Sequence, residues 1–241
     1  MAKVKNIGLI GCGNFGEFIL PYLIRHAPLY ALVNVYDKKT KPGIWYSADI
    51  KYAASSDLVV LSVPSMSLES ILIEIKDYVR KDAIVVDVCS VKMKPCKLME
   101  KYLPETAEII GTHPLFGPQS AKDGIRGLKM VLCPIRTNRI NEISSFLETS
   151  FGLDVIVTSP EDHDRQMAYV RGLTHLIGMA LGKMNLPLTG LTTETYEHLM
   201  SIINVVGHDS PELFYSIQKE NPYSKEISDK FLKTISKLSK R

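Results

Sequence analysis

The run Gly11-Cys12-Gly13-Asn14-Phe15-Gly16 constrains this chain more than any other. It follows the apolar stretch Ile7-Gly8-Leu9-Ile10 and precedes Phe18-Ile19-Leu20 and Tyr22-Leu23-Ile24, so it reads as strand, tight turn, helix. In such a turn the first glycine permits the bend and the second lets a pyrophosphate approach the backbone. The third lets the helix pack close to the strand. The helix start offers N–H groups and the positive end of its dipole to phosphates. A GxGxxG run alone is a weak signal, and a plain glycine turn is the bland alternative. Here a second apolar stretch, residues 29–36, leads to Asp37, about 20 residues beyond the glycines, where an acid binds the ribose 2′-OH of NAD. The predicted cofactor set is therefore Gly11, Gly13, Asn14, Phe15, Gly16 and Asp37. A carboxylate repels a 2′-phosphate, which favours NAD. Lys38, Lys39 and Lys41 soften that repulsion, so NADP stays open.

Apolar strands recur beyond the turn, with helical stretches between them. Strands are predicted over 57–64, 83–88, 108–111, 129–133 and 154–158, and helices over 67–79, 95–102 and 139–151. Residues 38–47, with Pro42 and Gly43, read as a turn-rich link in place of a crossover helix. Continuous apolar strands alternating with helices imply a parallel sheet covered on both faces. After Ser159-Pro160 no strand is expected. Helices are predicted over 162–184, 192–206, 210–220 and 224–238, the first burying Met167, Val170, Leu173, Thr174, Ile177, Ala180, Leu181 and Met184. The fold class is α/β: an N-terminal Rossmann dinucleotide-binding domain, residues 1–158, followed by an all-helical domain, residues 159–241. Helices this apolar in a short segment call for partner surface, and a homodimer through the second domain supplies it.

Hydrophobic residues are 45% and charged residues 23% of the 241-residue chain, an ordinary globular balance. A net charge of +3 gives no reason to expect nucleic acid or a membrane surface as partner. No run approaches the roughly 18 apolar residues of a membrane span. The N-terminus enters a strand with no signal segment, so a cytoplasmic location is expected. Cys12, Cys89, Cys96 and Cys133 show neither a CxxC pair nor a metal spacing with histidine, and read as reduced, buried thiols. His26, His198 and His208 have no company that suggests a ligand role, and no metal site is expected.

Ligands of an open α/β sheet bind beyond the carboxyl ends of its strands. Ser62-Val63-Pro64 ends one strand, Ser90-Val91-Lys92 follows another, and His113-Pro114 ends a third. Ser62 and Pro64 are assigned to the cofactor. His113 is the candidate acid/base, because imidazole exchanges protons near neutral pH. A structural histidine before a proline turn is the competing reading for His113, and a helix cap for Ser90. In the second domain Arg171 and His175 stand four apart on one helical face, able to hold one anionic group. A solvated charge beside a core-edge histidine is the plainer alternative.

Taken together, GCGNFG, DVCSVK, GTHPLFGPQS and EDHDRQMAYVRGLTH resemble the prephenate and arogenate dehydrogenases of tyrosine biosynthesis, over nearly the whole chain. THPLFGPQSAKDG and the stretch from THLIGMALGK to DSPELFYSI are most similar to the plant-type arogenate branch. The resemblance implies an oxidative decarboxylation with hydride transfer to NAD(P)+. It implies that His113 is the catalytic histidine taking the ring-hydroxyl proton and that Ser90 orients that hydroxyl. It places Gln119, Ser120, Arg171, His175 and Thr193 around the substrate. Arg171 replaces a glutamine usual in plant-type members, and an arginine that some bacterial members carry on a later helix is missing near Val205. Asp209 is an acid where that branch pairs acid with arogenate and a neutral residue with prephenate. A carboxylate would pair with arogenate's ammonium and repel prephenate's side-chain carboxylate. Arogenate is thus favoured, with prephenate as the alternative. Product tyrosine keeps the ammonium and is a candidate inhibitor of the same site.

Two other readings compete. Hydroxyacid dehydrogenases and pyrroline-carboxylate reductases also join such a domain to helices, and usually rely on a helical lysine. Lys183 is on a helix but lacks a supporting constellation. The other competitor is a non-catalytic dinucleotide-binding module.

Overall fold

The computed structural model describes residues 4–27, 31–39, 49–187, 189–207 and 209–240. Leu29, the link residues Lys41, Pro42 and Gly43, and His208 therefore lie outside the described residues. The chain divides into two units, Met1–Pro160 and Glu161–Arg241.

The first unit is built on one seven-stranded sheet. In chain order its elements are β1 (Asn6–Ile10), α1 (Asn14–His26), β2 (Leu32–Tyr36), α2 (Ile50–Ala54), β3 (Leu58–Leu61), α3 (Ser65–Ile75), β4 (Ile84–Asp87), α4 (Met93–Tyr102), β5 (Glu108–Pro114), β6 (Lys129–Arg136), α5 (Ile140–Phe146) and β7 (Asp154–Val157). The strand order is β2-β1-β3-β4-β5-β6-β7. Five strands, β1 to β5, run parallel. From β1 the chain goes to β2 on one side and later to β3 on the other, so the order reverses at β1, where such sheets bind ligands.

Alternating strand residues feed separate cores. Val59 and Leu61 pack with Leu68, Ile71, Leu72 and Ile75 of α3 and Met99 of α4. Leu9, Val35 and Val60 pack on the other side with Leu20 and Leu23 of α1. The α3 set recurs at i, i+3, i+4 and i+7, one helical stripe, and each such buried side chain contributes about 1.5–3 kcal/mol.

One expectation needs correction. The sheet is not wholly parallel, because β6 runs antiparallel to β5 and β7 follows β6. Residues 115–128 include no crossover helix, and without one the chain returns beside β5 in the opposite sense. Between the predicted link, of which residues 40–47 lie outside the described residues, and β3 stands the short helix α2, whose start is capped by the Asp49 side chain accepting from the Lys51 N–H.

The second unit is helical. Its elements are α6 (Pro160–Met167), a π-helical turn over Ala168–Leu173, α7 (Thr174–Lys183), α8 (Glu194–Gly207), α9 (Pro211–Tyr215) with a π-helical turn over Ser216–Glu220, and α10 (Ser224–Leu238). The face expected to be buried is displaced. Val170 and Met184 are exposed, as are Thr174 and Ala180, while Ala168, Gly172, His175 and Gly178 are buried. Two causes combine. A π turn carries an extra residue and shifts the helical phase. The seam is also lined by glycines, which apolar periodicity does not register. A Cβ on Gly178 would stand 2.9 Å from Val206 Cγ2, and one on Gly172 would stand 3.0 Å from Ser224 Oγ.

Candidate active site

The glycine run folds as its spacing demands. Gly11 has φ +96°, and a Cβ there would meet the Ser62 carbonyl oxygen at 2.2 Å. A Cβ on Gly16 would lie 2.3 Å from the Gly11 oxygen, so the start of α1 packs against the turn itself. Gly13 is different: a Cβ there has nothing within 4 Å, and no side chain caps α1. An uncapped helix start beside an open glycine is a cradle that a pyrophosphate fits. Asn14 is exposed, and Phe15 packs on Phe18 with ring centroids 5.9 Å apart.

Asp37 follows β2 directly. Its Oδ2 accepts the Cys12 N–H at 2.6 Å and its Oδ1 the Lys39 N–H at 2.8 Å, which holds the carboxylate against the glycine turn. Burial and the carboxylates of Glu74, Asp37 and Asp49 raise the pKa of the adjacent Tyr36, a sign of negative potential at this end of the sheet. The Ser62 N–H donates to the Ile10 oxygen at 2.7 Å, joining the tips of β3 and β1, and Pro64 precedes α3 on the surface.

Register places the residues predicted for chemistry toward the same end of the sheet. Ile10 pairs with Leu61, Leu61 with Asp87, and Asp87 with Gly111, so the residues beyond them all stand toward the carboxyl end of the parallel strands. Ser90 follows β4 and is half-buried, while His113 lies in the last two residues of β5 at 2% exposure. Beneath them is a network that sequence reasoning passed over. Asp87 and Lys92 are both wholly buried and ion-paired at 2.5 Å. Lys92 Nζ also donates to the Thr112 oxygen at 2.5 Å. Asp87 accepts the Cys89 N–H at 2.9 Å and the Thr112 N–H at 3.2 Å, and the Thr112 hydroxyl donates to the Asp87 carbonyl. Burial works against the Lys92 ammonium, but Asp87, Cys89 and Cys96 together outweigh it and hold the group protonated, above its ordinary value. The available signal was the spacing inside DVCSVK: an acid ending a strand, with a lysine five residues later at a helix start.

Gln119 and Ser120 are exposed in the turn after β5, where Ser120 Oγ accepts the Gly117 N–H at 3.0 Å.

The second unit brings together Arg171, His175 and Asp209. Arg171 Nη2 lies 3.1 Å from His175 Nε2, and Asp209 Oδ2 lies 3.2 Å from the same nitrogen and 3.9 Å from Arg171 Nη2. Arg171 enters from the π turn, His175 from α7, and Asp209 from just after α8. Burial, then the neighbouring Arg171 charge, pushes the His175 imidazole down to about 4. Burial also lowers the Arg171 value, and Asp209 offsets part of that. A neutral imidazole nitrogen either accepts from Arg171 or donates to Asp209, so it serves one partner at a time. Arg171 Nε and His175 Nδ1 are buried with no hydrogen-bond partner, which marks the cluster as incomplete. Thr193 is not shown with this group. It is exposed, and its hydroxyl accepts the Tyr196 N–H at 3.2 Å at the start of α8. Val205 is exposed on α8, as is Lys183 at the end of α7. Outside these clusters, His26 stacks on Phe151 at 4.5 Å and His198 is exposed. Among the described residues there is no group of three or more metal-capable side chains, and no helix is long and apolar enough to cross a membrane.

A parallel-dominated sheet with a glycine cradle at its reversal point, joined to an all-helical unit, defines a dinucleotide-binding protein of the Rossmann class. Comparison narrows this. Residues 34–157 match the nucleotide-binding domain model of prephenate dehydrogenase, and residues 159–241 match its dimerization domain model. The chain belongs to the prephenate dehydrogenase family. It is 30% identical to arogenate dehydrogenase 1 of Arabidopsis thaliana, over 93% of this chain and 37% of that protein. It is 33% identical to a probable arogenate/prephenate dehydrogenase of Methanocaldococcus jannaschii, over 79% of this chain and 45% of that protein. Arogenate dehydrogenase 2 of Arabidopsis thaliana is 32% identical over 93% of this chain and 66% of its own length. The chain thus spans between about a third and two thirds of these relatives. In fold it is similar to prephenate dehydrogenase from A. aeolicus, solved with hydroxyphenyl propionate and NAD+. That likeness has a TM-score of 0.78 at 23% identity, covering 99% of this chain and 90% of the other.

Proposed function

We propose that this chain oxidatively decarboxylates arogenate to L-tyrosine, with residues 1–158 binding the dinucleotide and residues 159–241 recognising the substrate side chain. The observation carrying the reading is that the glycine cradle, Ser90 and His113 all lie at the carboxyl end of the parallel strands of one sheet. The gly-rich turn would hold the pyrophosphate, and a bound nicotinamide supplies the hydride acceptor. His113 shares the proton of the ring 4-hydroxyl as the hydride leaves that carbon. The bond to the ring carboxylate breaks, CO2 departs, and its electron pair stays in the ring, which becomes aromatic. The phenol oxygen keeps or regains the shared proton, so no base is consumed. Ser90 orients the hydroxyl. Because aromatisation drives the reaction, positioning and polarisation of one hydroxyl are the main demands on the protein. Gln119 and Ser120, on the loop after β5, are assigned to the substrate, as is Thr193.

Asp209 supports arogenate over prephenate, because a carboxylate beside Arg171 and His175 suits a ligand bearing both an ammonium and a carboxylate. Asp37, whose carboxylate is held against the glycine turn by the Cys12 N–H, supports NAD over NADP. Exposed Tyr169, Val170, Met184, Val205, Leu232 and Ile235 support a homodimer formed through the helical unit. The buried thiols suit a reducing cytoplasm. The test is steady-state turnover of arogenate and prephenate, each with NAD and NADP. Arogenate with NAD is expected to have the highest kcat/KM. A preference for prephenate overturns the substrate assignment, and no turnover of either overturns the activity.

A further inference from the structure

We propose that the buried Asp87–Lys92 pair is a positioning device that sets where Ser90 and His113 stand relative to each other. The inference rests on the roles given to those two residues above.

The pair bonds to both of the segments that carry them. Asp87 closes β4, and Lys92 folds back to it across residues 88–91, making a loop with Ser90 near its crown. The Cys89 N–H, donating to Asp87 at 2.9 Å, pins the loop from inside. Cys89 Sγ also lies 3.8 Å from the Val63 oxygen, tying the loop to the segment after β3. On the other side, Thr112 immediately precedes His113. Its carbonyl accepts from Lys92, its N–H donates to the Asp87 carboxylate, and its hydroxyl donates to the Asp87 carbonyl. Thr112 is thus held at three points. The sequence makes room for this. A Cβ on Gly111 would stand 2.4 Å from Cys96 Sγ and 3.3 Å from Lys92 Cδ, so the glycine leaves the lysine stem its path beside β5.

Stability is a poor reason for such an arrangement. Two buried charges lose their hydration, and well-packed apolar residues often replace a buried pair without loss. Lys92 also occupies the cap position of α4, where the helix dipole disfavours a cation. What the pair supplies that apolar packing does not is direction: fixed angles at a strand end and a fixed loop height.

The experiment compares wild type with Lys92→Met/Asp87→Asn, which removes both charges together, and with Thr112→Val, which deletes only the hydroxyl bond. Below the melting temperature the double variant is expected to lose at least 30-fold in kcat, with KM and the NAD dissociation constant within three-fold of wild type. Thr112→Val is expected to lose about five-fold in kcat. In the protein without ligands, the His113 imidazole resonances are expected to shift in both variants while those of His26 and His198 hold. A folded double variant with kcat within three-fold of wild type and unmoved His113 resonances overturns the proposal. Should the double variant not fold, Thr112→Val with unchanged kcat and resonances does so. If wild type turns over neither substrate, the activity reading fails, and the imidazole resonances still decide whether the pair positions His113.

Discussion

Two polar clusters among the described residues differ in a way that bears on their uses. In the sheet unit, Asp87 and Lys92 are fully enclosed, and their bonds are made within the chain. In the helical unit, Arg171, His175 and Asp209 crowd around one imidazole nitrogen, and two buried nitrogens lack partners. A satisfied buried pair holds neighbours in place. An unsatisfied buried donor carries a desolvation cost that a ligand relieves. On the proposed function, the first cluster belongs to the scaffold under Ser90 and His113, and the second to substrate recognition.

The sharpest way to break this comparison is to remove the group the first cluster supports. His113→Asn is expected to lower kcat by about 10²–10⁴, the span of general acid–base catalysis, with NAD binding retained in titration calorimetry. If kcat survives, the strand-tip cluster supports nothing catalytic. The second cluster is probed by Arg171→Ala. Loss of a charge-assisted bond of about 1.5–3 kcal/mol should raise KM for arogenate about 10- to 150-fold, with a smaller change in kcat. Unchanged KM and kcat would put Arg171 outside the substrate site.

The crowding itself has a pH signature. His175, pushed down to about 4 from 6.5, is neutral in the folded protein where the unfolded chain would protonate it. Between those values the unfolded state binds more protons, so stability falls as pH drops through that window and is unaffected above it. From pH 7.5 to 5 the loss is on the order of 2 kcal/mol, measured by urea unfolding, and His175→Asn should abolish that share of the slope. At the glycine turn, Gly11→Ala places a side chain at φ +96° against the Ser62 oxygen and should cost about 1–3 kcal/mol, with weakened NAD binding. The smallest effect sharpens the choice of ligand. Asp209→Asn should lower the arogenate-to-prephenate ratio of kcat/KM about five-fold, the worth of a half-exposed ion pair of about 1 kcal/mol.

Much of this was legible in the chain. The strand–turn–helix around Gly11 was readable because the motif is local and its spacing is set by one bend. The pairing of Arg171 with His175 followed from a four-residue spacing that survives the π turn. The buried face of that same helix was misplaced, because Gly172 and Gly178 form the seam and no apolar periodicity reports a glycine. The reversal of β6 was missed for a related reason: strand direction depends on what the connection does, and an apolar run reads the same both ways.

The sequence by itself determined the α/β alternation, the cofactor turn, the change to helices after Ser159-Pro160 and the residue types available for chemistry, since each is a property of short stretches. Only the tertiary structure decided that Asp209 reaches His175 from 34 positions along the chain, and that Thr112 closes on Asp87 from the next strand. Those contacts depend on register and packing between segments distant in the chain, and hydrogen bonds of this kind have no periodicity from which to be read.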